Sequence, residues 1–377
     1  MQLPDRPNLR HLRDQAKELV RSGAVATLAA AQFEIAREYG FASWLKLKHH
    51  VQLLEGAGQL RQAIRAEDFD RVKALLTANP ALHRSTREDG DDGPLSWMAE
   101  CRVPSRAASP ARLSIAQWLI DNGSDVHQGG DGPLFRAAYG CIPMMELLVA
   151  NGADVNGLWR GGFPVMFVPC ENLEPVPLRW LLDHGADPNR RHPNSSVSAL
   201  DYVIQTYVRD PERLATCIEV LVAAGGQTRY DLPGVLPILR GRTGELAMLL
   251  DADPSLVNRR YPELDCGASG GRLLLLQGGT LLHIAAEYGF FDATRLLLDR
   301  GADANARADV DANGVGAQTP IFHALTHFMG VNPEVGQLLI QRGADLGIRA
   351  RVPGHYERPG EILDVSVAEY GALFPLR

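Results

Sequence analysis

The chain has 377 residues, of which 45% are hydrophobic and 22% are charged, so it can fold into two or three domains or into one elongated array. Its formal net charge of −7 argues against a nucleic-acid-binding protein, because such domains usually carry an excess of lysine and arginine. Five scattered cysteines without a C-x-x-C pair, no long apolar run and a charged N-terminus predict a cytoplasmic protein without disulfides, zinc or a membrane anchor.

The first predicted element is helical. SWLKLKHHVQLL begins with Ser43, a predicted N-cap, and continues as an amphipathic helix. Its apolar residues share one face: Trp44, Leu47, Val51 and Leu54. The preceding phrase IAREYGF, residues 35–41, matches IAAEYGF, residues 284–290, at six of seven positions. We therefore predict that residues 1–56 form an N-terminal helical cap that includes a degenerate copy of a later repeat.

A phrase of two apolar residues, two free positions and a glycine recurs through the rest of the chain. Its glycines are Gly123, Gly152, Gly185, Gly225, Gly301 and Gly343. The apolar pair is interpreted as the last buried turn of a helix, and the glycine takes the left-handed conformation that ends it. Asn79 and Asp253 replace the glycine in two further copies, where they are expected to take the same conformation before a proline.

A second phrase stands before most of these helix ends and predicts helix starts. GTLLHIAAEYGF, residues 279–290, is the clearest copy, and GPLSWMAE, GPLFRAAYG and QTPIFHAL are variants. Threonine caps the helix, proline occupies its first turn, and small alanines allow neighbouring helices to approach closely. Together the two phrases resemble the ankyrin repeat over about residues 57–373, with long insertions in some units.

The resemblance implies an all-α ankyrin-repeat solenoid in which residues 57–377 form an irregular array that ends in a capping helix at residues 361–373. Two insertions, residues 258–280 and residues 305–318, are expected to form extended β-hairpin fingers. Two others are expected to be irregular loops: residues 102–112 and residues 350–364. Several phrases also resemble a bacterial group of ankyrin-repeat proteins, but this likeness transfers no activity.

The segment Asp309–Gly314 spells D-x-D-x-N-G, which resembles the opening of a calcium-binding loop. Such a loop needs a bidentate glutamate at its twelfth position, where this chain has Pro320. Asn313 and Gly314 are therefore interpreted as a tight turn at a hairpin tip, where both residues accept positive φ. The sequence predicts no bound metal and no cofactor.

The histidines are interpreted as structural. His323 and His327 lie four residues apart on a predicted helix, but no third metal ligand is evident. His283, the histidine of the T-P-L-H phrase, is expected to hydrogen-bond the adjacent loop. The enzymatic alternative makes Cys266 a nucleophile near Asp265, His283 and His327, although nothing in the sequence indicates a lowered pKa of the thiol.

The sequence predicts a protein-binding module that presents a concave surface and two fingers to an unidentified protein partner. The expected contacts are aromatic or polar residues near the ends of first helices: Tyr139, Glu171, Arg240, Glu287, Tyr288 and His327. We expect a monomer that binds neither nucleic acid nor membrane. The alternative is an enzyme or small-ligand receptor with a pocket beneath the 258–280 and 305–318 fingers. Self-association through the LLLL run at residues 273–276 is a third hypothesis.

Overall fold

The computed structural model describes residues 3–4, 7–84, 92–100, 108–268, 272–324 and 333–373. The chain divides into two compact units. The N-terminal unit comprises residues 1–137 and 141–161, and the C-terminal unit comprises residues 138–140 and 162–377. Helices dominate both units, so the prediction of a mainly α-helical chain is confirmed. Within the described ranges, none of the helices has the length and apolar character of a membrane-spanning segment.

The N-terminal unit is built mainly from short helices. They are α1 (Leu9–Arg21), α2 (Leu28–Glu38), α3 (Trp44–Arg65), α4 (Phe69–Ala78), α5 (Pro94–Ala99), α6 (Pro110–Asp121), α7 (Gly132–Ala137) and α8 (Ile142–Ala150), with a 3-10 helix at Pro80–Arg84 and the two-residue strand β1 (Leu158–Trp159). Polar side chains accept hydrogen bonds from the first turn of several helices: Asn8, Thr27, Ser43, Asp68 and Ser109. Ser43 therefore caps α3, as the sequence predicts.

The first three helices share one hydrophobic cluster. Its buried members are Leu9, Leu12, Ala16, Ala31, Ile35, Ala36, Leu47 and Val51. The predicted boundary after residue 56 does not coincide with the end of an element, because α3 continues through it to Arg65. Gly56 lies inside this helix, and a Cβ atom there would be 3.2 Å from a methyl group of Leu82. The glycine therefore allows the 3-10 helix to pack directly against α3.

The C-terminal unit consists of paired helices and a terminal hairpin. Its elements are β2 (Phe163–Pro164), α9 (Phe167–Glu171), α10 (Pro175–Asp183), α11 (Ala199–Gln205), α12 (Pro211–Ala223), α13 (Val235–Leu239), α14 (Thr243–Ala252), a 3-10 helix (Pro254–Asn258), α15 (Leu281–Tyr288), α16 (Phe291–Asp299), α17 (Pro320–Ala324), α18 (Pro333–Gln341), β3 (Arg349–Pro353), β4 (Ile362–Ser366) and α19 (Val367–Leu373). First helices contact first helices, as in α13, α15 and α17, and second helices contact second helices, as in α14, α16 and α18. Each pair thus covers the apolar side of the next pair.

Glycines end the helices where the recurring phrase predicts. Their φ angles lie between 84° and 107° at Gly123, Gly152, Gly185, Gly225, Gly301 and Gly343. The prediction is wrong for the two copies without glycine, because Asn79 and Asp253 are extended, with φ of −145° and −138°. Each of them precedes a proline, which disfavours the helical region for the residue before it, and a 3-10 helix follows in both places.

In its described residues, 258–268 and 272–280, the first insertion does not form the extended finger that the sequence predicts. Tyr261 and Gly279 form an isolated β-bridge at its base. Three of its leucines are buried: Leu264, Leu274 and Leu276. The insertion lies against its own unit because these apolar side chains are removed from water there, which a projecting hairpin could not achieve.

The insertion at residues 305–318 forms a short hairpin in which Val310 pairs with Gly316. Its tip is not the predicted two-residue turn, because Gly314 has φ of 74° while Asn313 does not have positive φ. The carboxylate of Asp311 accepts hydrogen bonds from two backbone N–H groups across the tip, at 2.8 and 2.9 Å. The connection is a three-residue loop in which only the last residue must be left-handed.

A regular hairpin forms at residues 349–366, where the sequence predicts a loop followed by a helix. β3 and β4 pair antiparallel, with Arg349 opposite Ser366. Exposed and buried residues alternate from Arg349 to Val352, as expected for a strand with one covered face. The predicted helix at residues 361–373 is therefore wrong in its first part, and α19 begins at Val367.

Candidate interaction surface

Asparagine side chains connect successive loops of the C-terminal unit. The Asn305 amide donates to the carbonyl oxygen of Gly343 at 2.9 Å and accepts from the N–H of Asp345 at 2.8 Å. Asn189 and Asn258 make the same pair of hydrogen bonds to the loops that follow them. Each amide thus satisfies one carbonyl and one N–H group of its neighbour, which fixes the spacing and register of the loops.

His283 connects α15 to the hairpin insertion. Its Nδ1 accepts from the N–H of Thr280 at 3.0 Å, and its Nε2 donates to the carbonyl oxygen of Gln318 at 3.1 Å. Burial, together with the nearby His323, lowers the pKa of His283 to about 3, so the ring is neutral at neutral pH. The histidine therefore makes the loop contact that the sequence predicts.

A buried ionic cluster, formed by Arg209, Arg272, Glu287 and His323, underlies the first insertion. Relative exposure is 3% or less for all four residues. Arg272 donates to both carboxylate oxygens of Glu287, at 2.8 and 2.6 Å, and Arg209 donates to one of them at 2.8 Å. His323 contacts the other through Nδ1 at 2.6 Å. One carboxylate is thus shared by two guanidinium groups and one imidazole.

The protonation states of this cluster follow from burial and from the two arginines. Burial opposes ionisation of Glu287, but Arg272 and Arg209 outweigh it and hold the pKa of the carboxyl group below its ordinary value. Burial lowers the pKa of His323 despite its hydrogen bond to Glu287, so the ring is neutral and Nδ1–H donates. Two guanidinium charges therefore face one carboxylate in a site removed from water.

The cluster also joins segments that are far apart in the chain. Besides Glu287, Arg209 donates to the carbonyl oxygens of Gly267 at 3.0 Å and Ala268 at 3.1 Å, in the first insertion. It also donates to carbonyl oxygens in its own connection between α11 and α12. Arg272 lies in the same insertion. The insertion is therefore attached to the helices by ionic and backbone contacts as well as by its buried leucines.

Two of the predicted partner contacts belong to the interior instead. Glu287 is 0% exposed because it is the shared carboxylate of the cluster. Tyr288 is 1% exposed, and its hydroxyl donates to the carbonyl oxygen of Ile204 at 2.6 Å. In this structure neither side chain can reach a partner. The sequence motif gave no sign of this, because the residues that bury them come from distant segments.

The other predicted contacts have mixed positions. Tyr139 and Glu171 are half-buried. Arg240 is also half-buried, and its guanidinium forms an ion pair with Glu219 at 2.9 Å. His327 lies outside the described residues. Tyr139, Glu171 and Arg240 are thus the predicted contacts that keep partial access to solvent.

The structure does not assemble the residues of the enzymatic alternative into a reactive site. The carboxylate of Asp265 is engaged at the surface by Arg229 at 2.7 Å and by the hydroxyl of Tyr230. Cys266 is buried, and burial raises the pKa of its thiol to about 12, which disfavours the thiolate that a nucleophile requires. His283 is engaged by the loop contacts described above, and the fourth candidate, His327, is not among the described residues.

A cavity of about 250 Å³ opens between the two insertions. Its walls are Pro262, Leu273, Leu274, Leu275, Gln277, Asp309, Val310, Asp311, Val315, Gly316, Gln318 and Pro353. Leu273, Leu275 and Val310 are 40%, 37% and 54% exposed, so the opening presents apolar side chains to solvent. The charged side chains in the wall are both aspartates. The cavity therefore combines an apolar rim with negative charge.

The two aspartates of the wall differ in their engagement. Asp309 forms an ion pair with Arg260 at 2.6 Å. Asp311 uses one oxygen for the hairpin tip, and these backbone hydrogen bonds lower the pKa of its carboxyl group. The resemblance to a calcium loop therefore reflects turn chemistry. Among the described residues, no group of three or more His, Cys, Asp or Glu side chains is placed to hold a metal ion.

Sequence reasoning missed both Arg209 and Arg272 as members of a buried ionic cluster. Arg209 lies in VRDPER, which the sequence indicates only as a lengthened helix junction. Arg272 opens an otherwise apolar run, and a charged residue at that position is the one local signal of a buried partner. The partner itself, Glu287, could not be identified from spacing.

The stacked helix pairs, glycine ends and asparagine-linked loops are the features of a repeat array. Residues 248–350 match the family model for ankyrin repeats, in three copies. These residues are therefore ankyrin repeats, which confirms the prediction from the recurring phrases for this part of the chain. Ankyrin repeats are generally protein–protein interaction modules. The narrower resemblance to a bacterial group stays a prediction.

Proposed function

We propose that the chain is a protein-interaction module whose partner surface is formed by the two insertions of the C-terminal unit. The observation that carries the proposal is the exposed apolar rim of Leu273, Leu275 and Val310, presented by loops rather than covered by the chain. Clustered exposed apolar side chains mark sites of interaction. Beneath the rim, the ionic cluster and the asparagine contacts hold the loops in place, so little conformational entropy would be lost on binding.

The concave groove predicted along the first helices is a second part of this proposal. Tyr139, Glu171 and Arg240 keep partial exposure near the ends of these helices. Glu287 and Tyr288 are buried, so the groove would rely on the former three residues and on the loops. In ankyrin repeats this face is the expected route for a bound chain.

Affinity capture with paired variants tests the proposal. Leu275→Lys combined with Val310→Lys places two charges on the rim, and the matched control combines Leu346→Lys with Ile340→Lys, at residues that are 37% and 46% exposed but do not line the cavity. A protein retained by the wild-type chain and by the control, lost with the rim variant, and bound again when purified, is the expected result. Retention by all three chains, or by none, would overturn the proposal.

A small-ligand receptor is a second candidate, favoured by the cavity itself. About 250 Å³ is near the lower end of the volumes that hold small ligands. Its apolar walls and two aspartates would suit a small ligand that combines a hydrocarbon group with a positive charge. A rise in the melting temperature on addition of hydrophobic amines, absent when Val310→Trp fills the opening, is the expected result. No rise with any such amine would exclude this function.

A further inference from the structure

The first insertion presents a short segment of strand-like backbone along the cavity. From Arg272 to Leu276, buried and exposed residues alternate strictly, as they do in an extended strand with one covered face. Arg272 forms an isolated β-bridge with His355, and the carbonyl oxygen of Leu275 accepts from the side-chain amide of Gln318 at 2.9 Å. The N–H groups of Leu273 and Leu275 donate no backbone hydrogen bond recorded among the described residues. Partly exposed residues of an extended segment with unpaired N–H groups are the usual docking place for another extended chain.

The opposite wall supplies a side-chain pocket and negative charge. The short hairpin contributes Val310, Val315 and Asp311. One carboxylate oxygen of Asp311 accepts the hydrogen bonds that close the turn. No lysine or arginine is among the residues that line the cavity. Charge complementarity therefore favours a basic occupant over an acidic one, and the apolar walls favour an aliphatic or aromatic side chain.

We propose that this cavity binds an extended peptide segment of a partner protein, in which an apolar side chain enters the cavity, a neighbouring lysine or arginine faces Asp311, and the backbone pairs with Leu273–Leu275. The inference rests on the proposed function, since it names the kind of partner segment that the rim receives. Backbone pairing supplies affinity that is independent of sequence, and the cavity and the carboxylate supply selectivity.

The occupant is a separate chain rather than a second copy of this one. A symmetric pairing of two Leu273–Leu275 edges would bring together two cavity walls that each carry Asp309 and Asp311 and no lysine or arginine. Like charges brought together in an interface are unfavourable. A basic peptide has no such conflict.

Selection from a phage library of random heptapeptides on the full-length wild-type chain tests the inference. Peptides that also bind Leu275→Lys are removed by counter-selection. The expected enriched sequences carry an apolar residue beside a lysine or arginine. Leu275→Lys should weaken binding of the best synthetic peptide by about tenfold or more, whereas Leu346→Lys, equally exposed at 37%, should leave it unchanged.

Asp311→Asn keeps the oxygen that closes the hairpin tip and removes the charge, so it should weaken the same peptide about threefold and abolish its preference for a basic residue. N-methylation of the peptide provides a test that needs no protein variant. Because alternate N–H groups of a paired strand point towards its neighbour, methylation of one alternate set should abolish binding and methylation of the other set should be tolerated.

Each other outcome overturns the inference. Enrichment of acidic peptides, equal effects of both N-methylated sets, or equal loss with Leu346→Lys would do so. A concentration-dependent dimer in sedimentation velocity that Leu275→Lys dissolves would assign the edge to self-association. If no peptide is enriched while affinity capture still yields a rim-dependent partner, the extended-peptide mode is wrong and the proposed function stands. If affinity capture also yields no partner, both the extended-peptide mode and the proposed function are wrong.

Discussion

The shared carboxylate of the ionic cluster should be among the most sensitive single positions of the C-terminal unit. Glu287→Gln preserves the shape of the side chain and removes its charge, so Arg209 and Arg272 lose their common counter-charge while they stay buried at 3% and 2% exposure. Removing one partner of a buried ion pair typically costs about 3–5 kcal/mol, because the remaining charge has no compensation. We expect a loss of stability in this range.

An almost ideal control exists on the surface of the same unit. Glu219 also pairs with two arginines, Arg240 at 2.9 Å and Arg242 at 2.6 Å, but its side chain is 33% exposed. Water and salt screen this pair, so Glu219→Gln should cost less than about 1 kcal/mol. The two substitutions are chemically identical, and the difference between them isolates the effect of burial.

Urea unfolding and thermal unfolding, monitored by circular dichroism and by tryptophan fluorescence, measure the stability of both variants. For folded units of roughly 150 to 250 residues, the expected loss corresponds to a fall of about 6 to 20 °C in the melting temperature. Adding 0.5 M sodium chloride should narrow the difference between wild type and Glu219→Gln and leave the Glu287→Gln difference unchanged, because buried pairs are screened little. Equal costs for the two substitutions would refute the reasoning that burial makes Glu287 critical.

Three further predictions concern local features, each measured by urea unfolding. Gly301→Ala should lower the free energy of unfolding by about 1–2 kcal/mol because φ there is 84°. Gly244→Ala, equally free of neighbouring atoms but inside α14, should leave it unchanged or raise it, and equal effects would contradict a left-handed helix end at Gly301. Asn305→Ala should cost about 1–2 kcal/mol through its two hydrogen bonds to the next loop, and no loss would mean that water replaces them. The pKa of His283 falls from an ordinary 6.5 to about 3 in the folded chain, so its contribution to stability is present above pH 6.5 and is lost as the pH falls towards 3. The free energy of unfolding of His283→Gln should therefore depend less steeply on pH between these values, and an unchanged slope would contradict a buried, neutral His283.

Local conformational requirements explain which parts of the fold were predictable. A helix that ends in the left-handed conformation needs glycine at a fixed place, so Gly152 or Gly301 reveals a helix end without knowledge of tertiary contacts. Asn79 and Asp253 broke the rule for an equally local reason, since the following proline restricts each of them to extended backbone. The pairs Asn79-Pro80 and Asp253-Pro254 therefore indicate extended backbone by themselves, but the prediction followed the copies that have glycine.

The insertions were predicted poorly because burial decided their shape. Turn-rich composition indicates a hairpin, yet residues 258–280 lie against their own unit through three leucines and Arg272. In contrast, residues 349–366 form a regular hairpin although their loop is rich in glycine and proline. The alternation from Arg349 to Val352 was the available signal, and four residues are too few for it to stand out.

Part of the candidate site was accessible from sequence, and the rest was not. The two insertions that line the cavity stand out by their length alone, because extra residues in a repeat array must form loops. The burial of Glu287 could not be inferred, since its arginines lie 78 and 15 residues away in the chain. An acidic residue at the end of a first helix has the same local pattern whether it faces solvent or two buried guanidinium groups.

The ionic cluster makes physical sense as a positioning device rather than as a source of stability. A well-packed apolar core at the same place would be about as stable or more so, because desolvation of ionic groups offsets most of their attraction. Hydrogen bonds to a carboxylate are directional, however, and they fix Arg272 at one point on α15. Leu273 is the next residue in the chain, so the position of the proposed docking edge is set by the same contact. Glu287→Gln should therefore loosen that edge before the unit unfolds. Hydrogen exchange should increase under native conditions at Leu276, whose buried N–H donates to the carbonyl oxygen of Cys266 at 2.8 Å.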